Sequence, residues 1–321
     1  MNEKYIRKIR GKIVSITRNT KIYYWLYPAF WHSKFFRNDN KANTNIYFAA
    51  RPNPGAGIGH QMANWIAGYW FAQQFGLKFA HIPFSTEKWE KFLGFYQNEK
   101  TVEELKKNGY KVKRLPIFDE YNDVEVKQIM KIISSYANQK IIFLAEQDQF
   151  YHNQYQIMNE LKEKFYTSPA RKLDKLIYNE NQFNIAIHIR RGDIIQKPYE
   201  NNPNLTIRYQ SNDYFINALD TALTYLKDKK NIKIYLFSQG KREDYPEFSK
   251  YENLDFCLDM DSQDSFLHMV YADALITSKS SFSYKPALLN KGIKFCAKNF
   301  WHGYPESADW IMLNDEGRLI D

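Results

Sequence analysis

Asn184-Ile185-Ala186-Ile187-His188-Ile189-Arg190-Arg191-Gly192-Asp193 is the stretch from which this chain is best read. An apolar run rich in β-branched residues ends abruptly in two arginines, a glycine and an aspartate. Such a run reads as a strand buried on both faces, as in a parallel sheet. The polar cluster then falls at the strand's carboxyl end, where open α/β sheets bind ligands. Arg190 and Arg191 offer forked donors that match phosphate oxygens. Gly192 lets the backbone approach closely or adopt a positive φ, and Asp193 adds a carboxylate. Sugar transfer from a nucleotide sugar requires a cradle for the diphosphate and an acceptor for a proton. The same residues also read as a solvated charged turn after a strand. The isolated Arg-Gly-Asp tripeptide is too short to support an adhesive role.

On both sides of this stretch, strand and helix patterns alternate. Before it, strands are predicted over 46–50, 78–82, 112–117 and 141–144. Helices are predicted over 60–75, 124–136, 151–166 and 170–178, and Thr101-Val102-Glu103-Glu104 has the form of a capping box opening another. After it, strands are predicted over 233–238, 254–258, 274–277 and 293–297, with helices over 214–226 and 266–271 and a further one ending near 289. This rhythm predicts largely parallel sheets. The polar run Asn179-Glu180-Asn181-Gln182 is the best domain boundary. It gives a basic aromatic arm over 1–43, a first α/β domain over 44–180 and a second over 181–321. The polar segment 196–209 reads as a loop over the site.

Two further junctions carry chemistry. Residues 51–61 form a Pro- and Gly-dense turn between a strand and a helix. Backbone amides at such a turn can face an anion, although no Gly-Lys-Ser/Thr follows and the third glycine of a dinucleotide fingerprint is missing. At the second junction, Ser278-Lys279-Ser280-Ser281-Phe282-Ser283 is either another anion-binding turn or a helix capped by one serine. Asp259-Met260-Asp261 reads as a loop, with Asp264 available to a base edge.

The composition fits these readings. At 44% hydrophobic residues, the 321-residue chain has ample material for cores. Its 24 Tyr and 23 Phe supply rings mainly for those cores. The formal charge of +9 favours anionic partners, but no nucleic-acid-binding motif accompanies it. The two cysteines, Cys257 and Cys296, lie in apolar runs without metal-ligand spacing, as buried thiols of a cytoplasmic protein would. No segment has the length of a membrane span or the pattern of a secretory signal.

The first forty residues differ from the rest, and residues 1–31 carry the features that set them apart. Ile6, Ile9, Ile13 and Ile16 share a helical face and are interleaved with Lys4, Arg7, Lys8, Arg10 and Lys12. An aromatic cluster, 23–31, follows. This pattern suits a helix lying on an anionic membrane surface; it also suits a helix packed on the body with a basic outer face.

Three blocks in order resemble the α-1,2-fucosyltransferases. Gly57-Ile58-Gly59-His60-Gln61-Met62 resembles their Gly-x-Gly-Asn-Gln-Met/Leu block. His188-Ile189-Arg190-Arg191-Gly192-Asp193 matches their His-x-Arg-Arg-Gly-Asp block, which the α-1,6- and protein O-fucosyltransferases share in part. The run 276–283 resembles their Ile-Ile-x-Asn-Ser-Ser-Phe-Ser block. The resemblance implies an α/β, GT-B-like fold of two facing Rossmann-like domains with mostly parallel sheets. It also implies an inverting, metal-independent transfer from GDP-fucose to a hydroxyl of a glycan acceptor, lipid-linked acceptors included, as in bacterial surface polysaccharide synthesis. No cofactor or metal is expected.

Carried over by position, Arg190 and Arg191 bind the diphosphate and stabilise the leaving group. Asp193 is either the base for the acceptor hydroxyl or an ion-pair anchor for an arginine. His188, Gly192, Asp264, Lys279, Ser280, Ser281, Phe282 and Ser283 form the donor side. Gly57, Gly59, His60 and Gln61 face the site from the N-terminal half. His60 and Lys279 replace asparagines of the pattern, Gln239-Gly240 replaces acidic residues, and Tyr284-Lys285 stands where two tryptophans are frequent. The alternatives are a GT-B transferase for another activated sugar, a non-catalytic glycan- or nucleotide-binding protein on the same fold, and a basic membrane-associated scaffold.

Overall fold

The structure, a computed structural model, describes residues 3–37, 45–53, 55–145, 151–192 and 207–320. The chain forms two compact units. The first comprises residues 1–56, 61–90 and 96–151, and the second 57–60, 91–95 and 152–321.

The first unit is built on a five-stranded sheet in the order β3-β2-β1-β5-β4. Its strands are β1 (Ile46–Ala50), β2 (Lys78–His81), β3 (Lys100–Thr101), β4 (Lys111–Arg114) and β5 (Ile141–Ala145), and all neighbours pair in parallel. Every residue of β1 and β5 is buried, which is why Ile-Tyr-Phe-Ala-Ala and Ile-Ile-Phe-Leu-Ala show no polar alternation. β4 ends earlier than its apolar pattern: Leu115 N still bonds Leu144 O, but Pro116 has no N–H to continue the ladder. Thr101 and Glu104 close the predicted capping box of the helix Val102–Lys107.

Three helices precede β1: Glu3–Thr17, Lys21–Trp25 and Pro28–Phe35. They are held by aromatics. Tyr23 and Tyr27 are buried with Ile117, and His32 stacks on Tyr136 at 3.7 Å while its Nδ1 bonds Ser135 Oγ at 2.9 Å. The isoleucine face is not packed: Ile6, Ile9, Ile13 and Ile16 are 42–68% exposed. No helix among the described residues is long and apolar enough to cross a membrane.

The second unit carries a six-stranded sheet in the order β11-β10-β9-β6-β7-β8, again all parallel. The strands are β6 (Phe183–His188), β7 (Ile232–Ser238), β8 (Leu254–Leu258), β9 (Ala274–Ile276), β10 (Ile293–Ala297) and β11 (Trp310–Leu313). β6 lies between β7 and β9, with Ile185 and Ile187 in the core beneath the helix Asn212–Tyr225. Cys257 and Cys296 are free and buried.

Two segments depart from the pattern. The predicted helix over 170–178 is a short 3₁₀ turn, Pro169–Leu173, followed by extended chain. That chain is drawn onto the helix Ser262–Tyr271, where Ile177 N donates to His268 Nε2 and Tyr178 OH to His268 O. The polar run Asn179–Gln182 lies inside the second unit and forms a tight lead into β6. The Asn184 amide fastens it by donating to Asn179 O and Gln182 O.

Candidate active site at the carboxyl end of β6

β6 ends at His188, and Ile189 N bonds Phe237 O before the chain turns. The turn requires Gly192. Its φ is +49°, and a Cβ there would lie 2.3 Å from Gln239 Oε1. This turn sends the two arginines to different surroundings. Arg190 reaches the loop after β9, with Nη1 3.3 Å from Ser280 Oγ. Arg191 is buried; its Nη1 donates to Arg190 O at 2.9 Å and its Nη2 to Asn212 Oδ1 at 2.6 Å. Asn212 in turn donates to Asp244 O and to Glu247 Oε2, and the Arg191 guanidinium lies 5.2 Å from the Tyr209 ring. Arg191 is therefore a strut between β6 and the segments after β7. Asp193 and most of the segment 196–209 lie outside the described residues.

The loop after β9 is knotted by its serines. Ser278, Ser280 and Ser283 are buried, and Ser283 Oγ contacts Ser278 N, Ser278 Oγ and the carbonyls of Ser278 and Ser280. Ser280 is the N-cap of the helix Ser281–Leu289, its Oγ accepting from Phe282 N. Ser283 thus braces the loop, and Ser280 both caps the helix and meets Arg190. A helix N-terminus beside a guanidinium is suited to an anion. Lys279 is turned elsewhere: its Nζ lies 3.2 Å from Asp315 Oδ1.

His188 joins the two loops. Its Nδ1 lies 2.9 Å from Ser278 Oγ, and its ring is 5.4 Å from that of Phe282. Burial, reinforced by the charges of Arg190 and Arg191, pushes its pKa down from 6.5 to about 3. Burial also lowers His268 and His302. The unfolded chain takes up a proton near pH 6.5 that folded His188 refuses until about pH 3. This contribution to stability is intact above pH 6.5 and is lost as the pH falls below it, by about 1.4 kcal/mol per pH unit. The melting midpoint should drop between pH 7 and pH 4.5, less steeply in His188→Gln; equal slopes would contradict the neutral, buried imidazole.

The remaining residues separate into three groups. The Gly57–His60 segment belongs to the second unit and lies against the start of the helix Ser281–Leu289. A Cβ on Gly59 would sit 2.7 Å from the carbonyl carbon and oxygen of Ser281, whereas one on Gly57 would meet nothing within 4 Å. Gln61 is a brace in the first unit, its amide shared among Ala56 O, Ser85 Oγ and Ser85 N. Asp264 is exposed in the first turn of the helix Ser262–Tyr271, which also brings Phe266 to within 6.1 Å of Phe282. Asp261 is the N-cap of that helix.

A cavity of about 670 Å³ opens beside Arg191 and Gly192, walled by Asp213, Asp244, Glu247 and Asp259. Those carboxylates make it a poor host for a diphosphate, whereas the corner formed by Arg190 and Ser280–Phe282 presents a guanidinium and a helix N-terminus. Among the described residues no group of three or more His, Cys, Asp or Glu is placed to hold a metal ion.

Two all-parallel α/β sheets, one with a basic, serine-lined corner at its carboxyl end, define an α/β protein with a place for an anionic ligand. The chain belongs to glycosyl transferase family 11, whose model matches residues 14–307. It is a glycosyltransferase. Among curated proteins nothing matches.

Similar solved structures include POFUT1 in complex with GDP, at 10% identity and a TM-score of 0.41, covering 80% of this chain and 99% of that one. The α-1,6-fucosyltransferase NodZ soaked with GDP-fucose is 11% identical with a TM-score of 0.45, over 78% and 95%. A mutant of Arabidopsis thaliana FUT1 in complex with GDP is 10% identical with a TM-score of 0.45, over 92% and 79%.

Proposed function

We propose that this chain transfers fucose from GDP-fucose to a hydroxyl of a glycan acceptor, with inversion and without a metal, in the synthesis of a bacterial surface polysaccharide. The carrying observation is the contact of Arg190 with Ser280 at the N-terminus of the helix Ser281–Leu289. In this reading the diphosphate lies in that corner, where the fixed guanidinium and helix dipole meet the charge that grows as the fucosyl C1–O bond breaks. The acceptor oxygen forms the new bond to C1 from the opposite face. Its proton passes to a carboxylate, Asp193 being the candidate by its place in the motif, and GDP leaves. His188, Phe282 and Asp264 are assigned to the guanine side. His188 is held neutral there, so it supplies an uncharged aromatic edge.

A thermal-shift screen with GDP, UDP, CMP and ADP tests the donor. At about 100 times its dissociation constant, GDP should add about 2.7 kcal/mol and raise the midpoint by several degrees. GDP-fucose turnover should be unchanged by EDTA. A shift with a different nucleotide keeps the fold and changes the donor; nucleotide binding without turnover makes the chain a binding protein.

We place the reaction at the inner face of a membrane, with the protein held peripherally. The exposed face of Ile6, Ile9, Ile13 and Ile16, continued by Ile22 and Trp25, supports this, as do Lys8, Arg10 and Lys12 on the same helix. The protein should float with vesicles containing anionic lipid and stay behind with neutral ones. Ile9→Asp/Ile13→Asp should abolish flotation while leaving the GDP shift intact. Equal flotation of that variant would remove the membrane role.

A further inference from the structure

The strand order of the second unit changes direction at β6 and β9. β7 and β8 lie on one side of that pair, β10 and β11 on the other. Open α/β sheets bind ligands in the crevice outside the carboxyl ends of such a pair. Here the loop after β6 brings Arg190 to that crevice and the loop after β9 brings Ser280. A third segment, residues 209–212, touches both loops on its way into the helix Asn212–Tyr225.

Its contacts alternate between them. Tyr209 places its ring 5.2 Å from the Arg191 guanidinium, and Asn212 Oδ1 accepts from Arg191 Nη2 at 2.6 Å. Between these two, Gln210 reaches the other loop. Its Oε1 accepts from Lys279 N at 2.8 Å, across 69 residues of sequence. On that loop Ser278 is fixed by His188 and Ser283, and Ser280 by its cap on Phe282 N. Lys279 lies between those anchors, with its side chain drawn out to Asp315. The bond from Gln210 therefore pins the backbone immediately before the residue that meets Arg190.

Stability alone does not account for a glutamine at this place. Gln210 is only 7% exposed. The Lys279 N–H fixes the amide oxygen on that side, so the nitrogen faces away from it. That Nε2 and the hydroxyl of neighbouring Tyr214 are both buried without a hydrogen-bond partner. One bond is made and a buried donor is left without an acceptor, and the two effects on folding oppose each other. What remains is the placement of Lys279.

The geometry points to Gln210 as a positioning residue for the diphosphate, acting through the Lys279 backbone to keep Ser280 and Ser281 turned toward Arg190. This rests on the transferase reading and adds to it a residue that touches no substrate atom.

Gln210→Met keeps the length of the side chain and removes the acceptor. On the full chain, calorimetry should show GDP bound about tenfold more weakly than by wild type. The midpoint shift given by inorganic pyrophosphate should mostly vanish, while the unliganded midpoint stays within about 3 °C. With GDP-fucose, kcat should fall about tenfold, and that loss should overlap with the loss in Arg190→Ala. The double variant should be no more than about threefold slower than Arg190→Ala alone, whereas a residue supporting only the fold would multiply the two losses. Gln210→Leu gives the same comparison should Gln210→Met fail to fold. Wild-type GDP affinity and kcat in the folded variant, or multiplied losses in the double variant, overturn the positioning role and leave the transferase reading standing. A wild-type protein that binds pyrophosphate but not GDP strikes the donor assignment instead, and the pyrophosphate shift still decides the role of Gln210. Binding of neither removes both.

Discussion

Arg190→Ala is expected to lower kcat by about 10²–10³-fold while leaving the melting midpoint within a degree or two of wild type. The magnitude is that of removing one fixed donor aimed at developing charge, about 2.7–4 kcal/mol of transition-state stabilisation. The helix cap does not depend on Arg190, because its contact with Ser280 is long, at 3.3 Å, and Ser280 keeps its capping bond to Phe282 N without it. Arg190→Lys should recover only part of the rate, since an ammonium keeps the charge and loses the fork.

Arg191 should behave in the opposite way. It is buried, and Arg191→Ala would strip Asn212 Oδ1 of a donor at 2.6 Å and unseat the contacts that Asn212 makes with Asp244 O and Glu247. Its loss should appear first in stability, by about 1–3 kcal/mol. Steady-state GDP-fucose kinetics and melting on both variants separate the roles. Wild-type kcat in folded Arg190→Ala would exclude it from the leaving-group site, and a rate loss without destabilisation in Arg191→Ala would exchange the two assignments.

That division of labour could not be read from the sequence. Arg190 and Arg191 are adjacent and chemically identical, and what separates them is a φ of +49° at Gly192 and an asparagine twenty-one residues further on. The parallel strands were legible because burial on both faces leaves a continuous apolar run, as in β1, β5 and β6. The two-residue β3 is too short to produce such a signal, and in the edge strand β11 Ile311 and Met312 are only partly buried. The apolar residues of 170–178 suggested a helix, but the segment takes its shape from His268, ninety residues away in sequence.

Similar limits apply to polar side chains. The serine run was correctly placed at a strand-to-helix junction, yet only coordinates show Ser283 tied to Ser278, and Lys279 drawn to Asp315. Periodicity revealed the isoleucine face of the first helix. Whether that face is covered depends on tertiary contacts, and it is exposed.

The largest stability effect is expected away from the chemistry. Asn290→Ala should destabilise the second unit by about 3–5 kcal/mol and lower its melting midpoint by on the order of 10 °C. Asn290 is fully buried, and its Nδ2 donates to Met269 O, Val270 O and Ala272 O at 3.0, 3.1 and 2.8 Å. Two of those carbonyls belong to the last turn of the helix Ser262–Tyr271, where no intrahelical donor remains. The same side chain accepts from Gly292 N at 2.7 Å, and its own backbone N–H closes the helix Ser281–Leu289 on Pro286 O. One amide therefore fastens the ends of two helices to the start of β10.

Water has little room to replace it, since a Cβ on Gly292 would lie 2.1 Å from Asp273 O. Alanine would leave three buried carbonyls and one N–H short of partners, at about 1–3 kcal/mol each before relaxation. Asn290→Asp should be no better, because a carboxylate has no donor to offer those carbonyls. Below the midpoint the GDP-induced shift should persist, because Ser280, Ser281 and Arg190 lie at the other end of that helix. Melting of Asn290→Ala with and without GDP decides the matter. A midpoint within about 2 °C of wild type, under 1 kcal/mol for a unit of this size, would mean that the three carbonyls find other donors.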